Sequence, residues 1–104
     1  MTAAQFRQLV LSLPGVIESS HMSHPDFRVG GKIFATLGYP NKDHGMVILP
    51  ADEQARLITA HPKVFAPAKG AWGKRGSTTV RLENANRRTL QRAIEIAWRN
   101  KARR

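Results

Sequence analysis

Two groups of residues have types and spacings suited to chemistry, and both are basic. The first is Lys69-Gly70-Ala71-Trp72-Gly73-Lys74-Arg75-Gly76, which puts three cations, three glycines and one indole into a single short stretch. Glycines let the backbone approach a phosphate closely and turn its N–H groups toward it. An indole among cations can stack on a base or lie along a groove. The stretch is not a P-loop, because Lys74 is followed by Arg75 rather than Ser or Thr and the glycine spacing differs. Trp72 has a competing role as a core residue that closes the loop over the domain, and on sequence alone that burial is the expectation. Arg81 follows on an alternating segment, opposite Val80, and extends the cationic surface if its face is exposed.

The second group lies near the C-terminus. At about 100° per residue, Arg88, Arg92, Arg99 and Arg103 fall within roughly 60° of each other, opposite Leu90, Ile94 and Trp98. Such a stripe suits consecutive phosphates. Glu95 shares it and can pair with Arg92 or Arg99, which would make part of it an ordinary salt-bridged surface. The candidate nucleic-acid contacts are therefore Lys69, Trp72, Lys74, Arg75, Arg81, Arg88 and Arg92.

The distribution of charge points the same way. The 104 residues hold 17 Lys and Arg against 7 Asp and Glu, a net charge of +10. Residues 1–68 contribute only +1 of this, and residues 69–104 contribute +9. An excess confined to the last third implies a polyanion, most simply DNA, or an acidic protein partner. A merely hydrated surface would not need the clustering.

Other chemistry finds less support. Without cysteine there is no disulfide scaffold, thiol nucleophile or thiolate metal site, which fits a reducing compartment. His21 and His24, with Glu18 and Asp26 near by, form a candidate divalent-metal set. However, His24 precedes Pro25, which favours an extended segment. His44 and His61 read as a loop residue and a helix C-terminal residue. The serines and threonines show no nucleophile signature and no acid–base constellation stands out. The expectation is a non-enzymatic protein with no cofactor, no bound metal and no small-molecule substrate. A small metal protein or enzyme using His21 and His24 is the remaining alternative.

The elements that would position these residues can be read in outline. Thr2 and Gln5 have capping-box spacing before a helix with Phe6, Leu9, Val10 and Leu13 on one face, ended by Pro14-Gly15. Residues 17–22 are a candidate strand. Phe27 to Val29 and Ile33 to Leu37 flank Gly30-Gly31 as a hairpin. Met46 to Leu49 reads as another strand. Pro50 opens a helix with Ala51, Ala55, Leu57 and Ile58 toward the core, and His61-Pro62 closes it. Residues 63–76 read as loop, residues 78–82 as a half-buried strand, and a last helix starts from a cap at Asn84 or Asn86. The order α-β-β-β-α-β-α predicts one α+β domain over residues 1–104, with an antiparallel sheet. No apolar run reaches the roughly 20 residues of a membrane span, and no export signal precedes the first helix. A cytoplasmic location is expected.

Six segments, in order, carry a family resemblance. They are Leu13-Pro14-Gly15-Val16, His24-Pro25-Asp26-Phe27-Arg28-Val29, Gly31-Lys32-Ile33-Phe34-Ala35-Thr36-Leu37, Phe65-Ala66-Pro67-Ala68, Ala71-Trp72-Gly73 and Val80-Arg81-Leu82. Through them the chain resembles the MmcQ/YjbR family of small bacterial proteins over nearly its whole length. The resemblance implies a compact domain with a CyaY-like or secretion-chaperone-like arrangement. It also implies DNA binding, partly by likeness to a double-wing DNA-binding fold. It brings no catalytic residues. Where the family often has tryptophan after the glycine at position 76, this chain has Ser77.

Overall fold

A computed structural model describes residues 1–102. Helix α1 (Ala3–Leu11) is followed by four strands: β1 (Ile17–His21), β2 (His24–Val29), β3 (Lys32–Leu37) and β4 (His44–Ile48). Next come α2 (Ala51–Ala60), β5 (Phe65–Pro67), a short α3 (Ala71–Lys74) and β6 (Ser77–Arg81). A 3₁₀ turn at Leu82–Asn84 leads into α4 (Arg87–Ala102). The six strands form one antiparallel sheet in the order β1-β2-β3-β4-β6-β5.

Local chemistry accounts for most of these boundaries. The capping box closes as expected, with Gln5 N–H donating to Thr2 Oγ1 at 3.1 Å and Thr2 N–H donating to Gln5 Oε1 at 2.8 Å. Asn86 Oδ1 accepts from Thr89 N–H at 2.9 Å, so Asn86 rather than Asn84 caps α4. Gly30 and Gly31 both take positive φ between β2 and β3, as a two-residue hairpin turn requires. The turn between β1 and β2 also needs positive φ, yet it is built from Met22 (φ 49°) and Ser23 (φ 68°).

Directly opposed residues in an antiparallel sheet share a face. Phe65, Val80, Gly45 and Leu37 lie in one row, and Val47 and Ala35 share their side. Phe6 of α1 packs so closely on Gly45 that a Cβ there would lie 2.9 Å from its ring. That face holds the core, where Phe6, Phe27, Phe34, Val47, Val80, Leu90 and Ile94 are buried under α1 and α4. Pairing steps from Phe27↔Ala35 to Arg28↔Ile33, which leaves Phe34 as an extra residue in β3. This bulge lets Phe34 and Ala35 both be buried. The opposite face presents Ser19, His21, Arg28, Met46, Thr79 and Arg81, all exposed or half-exposed. Among the described residues no helix is long and apolar enough to cross a membrane.

Several expectations need correction. All four candidate strands before α2 form, one more than the order α-β-β-β-α-β-α counts. Residues 63–76 are not a plain loop but contain β5 and α3. In α2 only Leu57 is buried and Ile58 is half-buried, while Ala51 and Ala55 face water. Helix α2 lies at the β5 end of the sheet, where Leu57 and Ile58 seat it.

Candidate nucleic-acid interface

Helix α3 is held at a corner by backbone contacts. Ala68 N–H donates to Ser77 C=O at 2.9 Å, and Leu49 N–H donates to Gly76 C=O at 2.9 Å. Gln54 of α2 reaches across with its side-chain amide, donating to Gly73 C=O at 2.9 Å and to Thr78 Oγ1 at 3.1 Å. Gly73 is buried against Ala68, whose carbonyl oxygen would stand 2.0 Å from any added Cβ. The close approach that glycine allows here seats α3.

On this seat Trp72 points outward, 67% exposed. The expectation of a core tryptophan is wrong: Gly73, not the indole, makes the packing contact. Lys69, Lys74 and Arg75 are exposed around it. None of the three makes an ion pair among the described residues. The structure thus brings four of the candidate residues to one corner.

The other three lie elsewhere. Arg88 and Arg92 are exposed on α4, where they line a shallow groove with Arg87, Gln91 and Glu95. Glu95 pairs with neither Arg92 nor Arg99 among the described residues, so the stripe keeps its positive field. Arg103 lies outside those residues. Arg81 is exposed on the sheet face opposite Val80 and the α1/α4 layer. It sits at the far end of β6 from α3, about 13 Å along the strand. Arg81 therefore does not join the α4 stripe.

The histidine candidates resolve into a different arrangement. Asp26 has no exposed surface, although it lies on the open sheet face. Its carboxylate accepts Arg28 Nε at 2.8 Å and Arg28 Nη2 at 3.1 Å, and lies 2.8 Å from His21 Nδ1. The Arg28 guanidinium holds the Asp26 carboxyl below the usual carboxylate range, against the upward push of burial, and His21 adds to the lowering. His24 turns away and meets Tyr39 edge-on, with ring centroids 6.1 Å apart. Among the described residues no group of three or more His, Asp or Glu side chains is placed to hold a metal ion. Sequence reasoning counted Asp26 as a possible ligand and missed its tie to Arg28. The alternation in His24-Pro25-Asp26-Phe27-Arg28 was the available signal, since it puts Asp26 and Arg28 on one face.

Comparisons with known proteins agree with this fold. No curated protein matches significantly. A crystal structure of Deinococcus radiodurans protein DR2400, which carries a DUF419 domain, superposes with a TM-score of 0.78 at 19% identity, covering 93% of this chain and 75% of that one. The YjbR family model matches residues 11–100, and the chain therefore belongs to the YjbR family.

Proposed function

We propose that this protein is a non-enzymatic DNA-binding module that holds duplex DNA through its phosphates with little sequence preference. The observation that carries the reading is the α3 corner, where an exposed Trp72 stands among Lys69, Lys74 and Arg75, all unpaired among the described residues. An exposed indole offers a flat face that can lie against a nucleic acid, and cations beside it add the attraction for a polyanion. Arg88 and Arg92 supply a second set of phosphate contacts along α4, and Arg81 a more distant one. Contacts of this kind fix position and affinity without reading bases.

The test is a DNA titration at several salt concentrations beside an unrelated protein of equal charge. Lys74→Ala with Arg75→Ala is expected to reduce the slope of log affinity against log salt by about 2, because each phosphate contact releases close to one counterion. Trp72→Ala should lose affinity without changing that slope. An unchanged slope in the double variant removes the corner from the interface. Binding no tighter than the charge-matched control overturns the proposal.

A further inference from the structure

The two edges of the sheet are treated differently. Strand β5 is three residues long, ends in Pro67 and is packed by α2 and α3. Short length, proline and helical cover are the usual means of closing an edge. Strand β1, Ile17-Glu18-Ser19-Ser20-His21, has none of them: it contains no proline or lysine, and all five residues are exposed. Among the described residues no helix packs along it, and α1 reaches it through the Arg7–Glu18 ion pair.

Its hydrogen-bonding pattern follows from the turn. Met22 and Ser23 form a two-residue loop, so the flanking His21 and His24 are a hydrogen-bonded pair. Alternation then pairs Ser19 with Asp26 and Ile17 with Arg28 in the same way. Glu18 and Ser20 are left with N–H and C=O groups directed out of the sheet.

We propose that β1 is the contact between two copies of this chain, paired antiparallel about a two-fold axis at Ser19. Glu18 of one copy then exchanges backbone hydrogen bonds with Ser20 of the other, and the symmetric pair does the same. Three observations favour a second copy over a foreign strand. Two of the exposed large apolar side chains belong to this edge, Ile17 (68% exposed) at its start and Met22 (87%) just past its end. Antiparallel self-pairing brings the start of one strand to the end of the other, so each Ile17 stands opposite the other copy's His21, next to Met22. No like charges meet, because Glu18, already held by Arg7 at 3.1 Å, faces Ser20. Finally, the cations on α3 and β6 sit by the opposite edge of each sheet, which keeps them away from the junction.

A single strand pair buries less than about 1,200 Å², so a weak dimer is expected, forming at concentrations on the order of 100 μM. Sedimentation of the full chain from about 10 μM to about 1 mM, in about 0.3 M salt to screen its charge, reads the association. Hydrogen exchange at individual amides locates it. The mass is expected to rise toward twice the monomer. The Glu18 and Ser20 amides should gain protection with concentration, while Ser19 and His21 stay protected throughout. Ser20→Pro removes one outward donor, and Ile17→Lys serves as a second variant should the proline impair folding. Each folded variant is expected to weaken association at least about tenfold. A monomer at the highest concentration overturns the proposal. So does a dimer that leaves Glu18 and Ser20 unprotected, and so does protection of those amides in the dilute monomer.

Discussion

A Gly73→Ala chain is expected to lose the α3 corner while keeping every cation. The new methyl carbon would stand 2.0 Å from the Ala68 carbonyl oxygen and 3.0 Å from its carbon, both backbone atoms that no rotamer change can move aside. Either α3 or the segment before it must shift. The shift carries Trp72 and Lys74 with it and breaks the 2.9 Å bond from Gln54 to Gly73 C=O. Overpacking of this kind costs about 1–3 kcal/mol, and more where the backbone cannot yield. Denaturant titration reads that cost, and backbone chemical shifts of residues 68–77 report where it falls. If the corner binds DNA, affinity should drop as it does for the charge-removing double variant. Gly30→Ala makes a useful contrast: a Cβ there meets nothing within 4 Å, so only its φ of +59° opposes the change, at about 1–2 kcal/mol. Wild-type stability and unshifted resonances in Gly73→Ala would refute the account of how α3 is seated.

The second large effect is expected at Asp26. Changing it to alanine leaves the Arg28 guanidinium and the His21 ring without their acceptor. Both are partly exposed and can return to water, so the loss should lie near 1–3 kcal/mol rather than at the level of a wholly buried pair. The same carboxyl makes stability depend on pH in a definite direction. Its folded-state pKa is lowered, chiefly by Arg28 and then by His21. The stabilisation is therefore fully present above the ordinary aspartate range and is lost as pH falls through the folded-state value. Acid titrations of the wild type and of Asp26→Asn should run at a constant offset above the ordinary aspartate range and converge as pH falls through the lowered folded-state value. Parallel curves at all pH values would show that Asp26 contributes nothing through its charge.

Much of the scaffold was legible in the sequence because its signals are local. Thr2 and Gln5, Gly30-Gly31, and the spacing of Leu90, Ala93, Ile94 and Ala97 each describe a neighbourhood a few residues wide, and each forms as read. The elements that were missed depend on distant partners. Phe65 to Pro67 becomes a strand only because Val80 and Thr78 lie beside it. The Met22-Ser23 turn carries no glycine, asparagine or aspartate, and the ladder on either side imposes its backbone. For Trp72, composition favoured burial, and the deciding fact was that Gly73 occupies the packing position next to it. The basic C-terminal third was plain in one dimension, but its division among a corner, a helix stripe and the far sheet face depends on where α3, β6 and α4 pack against distant elements.

The sheet's connectivity also implies an order of assembly. Strands β2, β3 and β4 each pair with the strand immediately before them in the chain, so small loop closures suffice to build the first four strands. Strand β6 must instead find β4 across α2, β5 and α3, aligning Thr78 with Val47. Contacts so remote in sequence are slow to form. The four-stranded meander is thus expected to form first, with β6 and β5, the strands that flank the Trp72-bearing α3, added last.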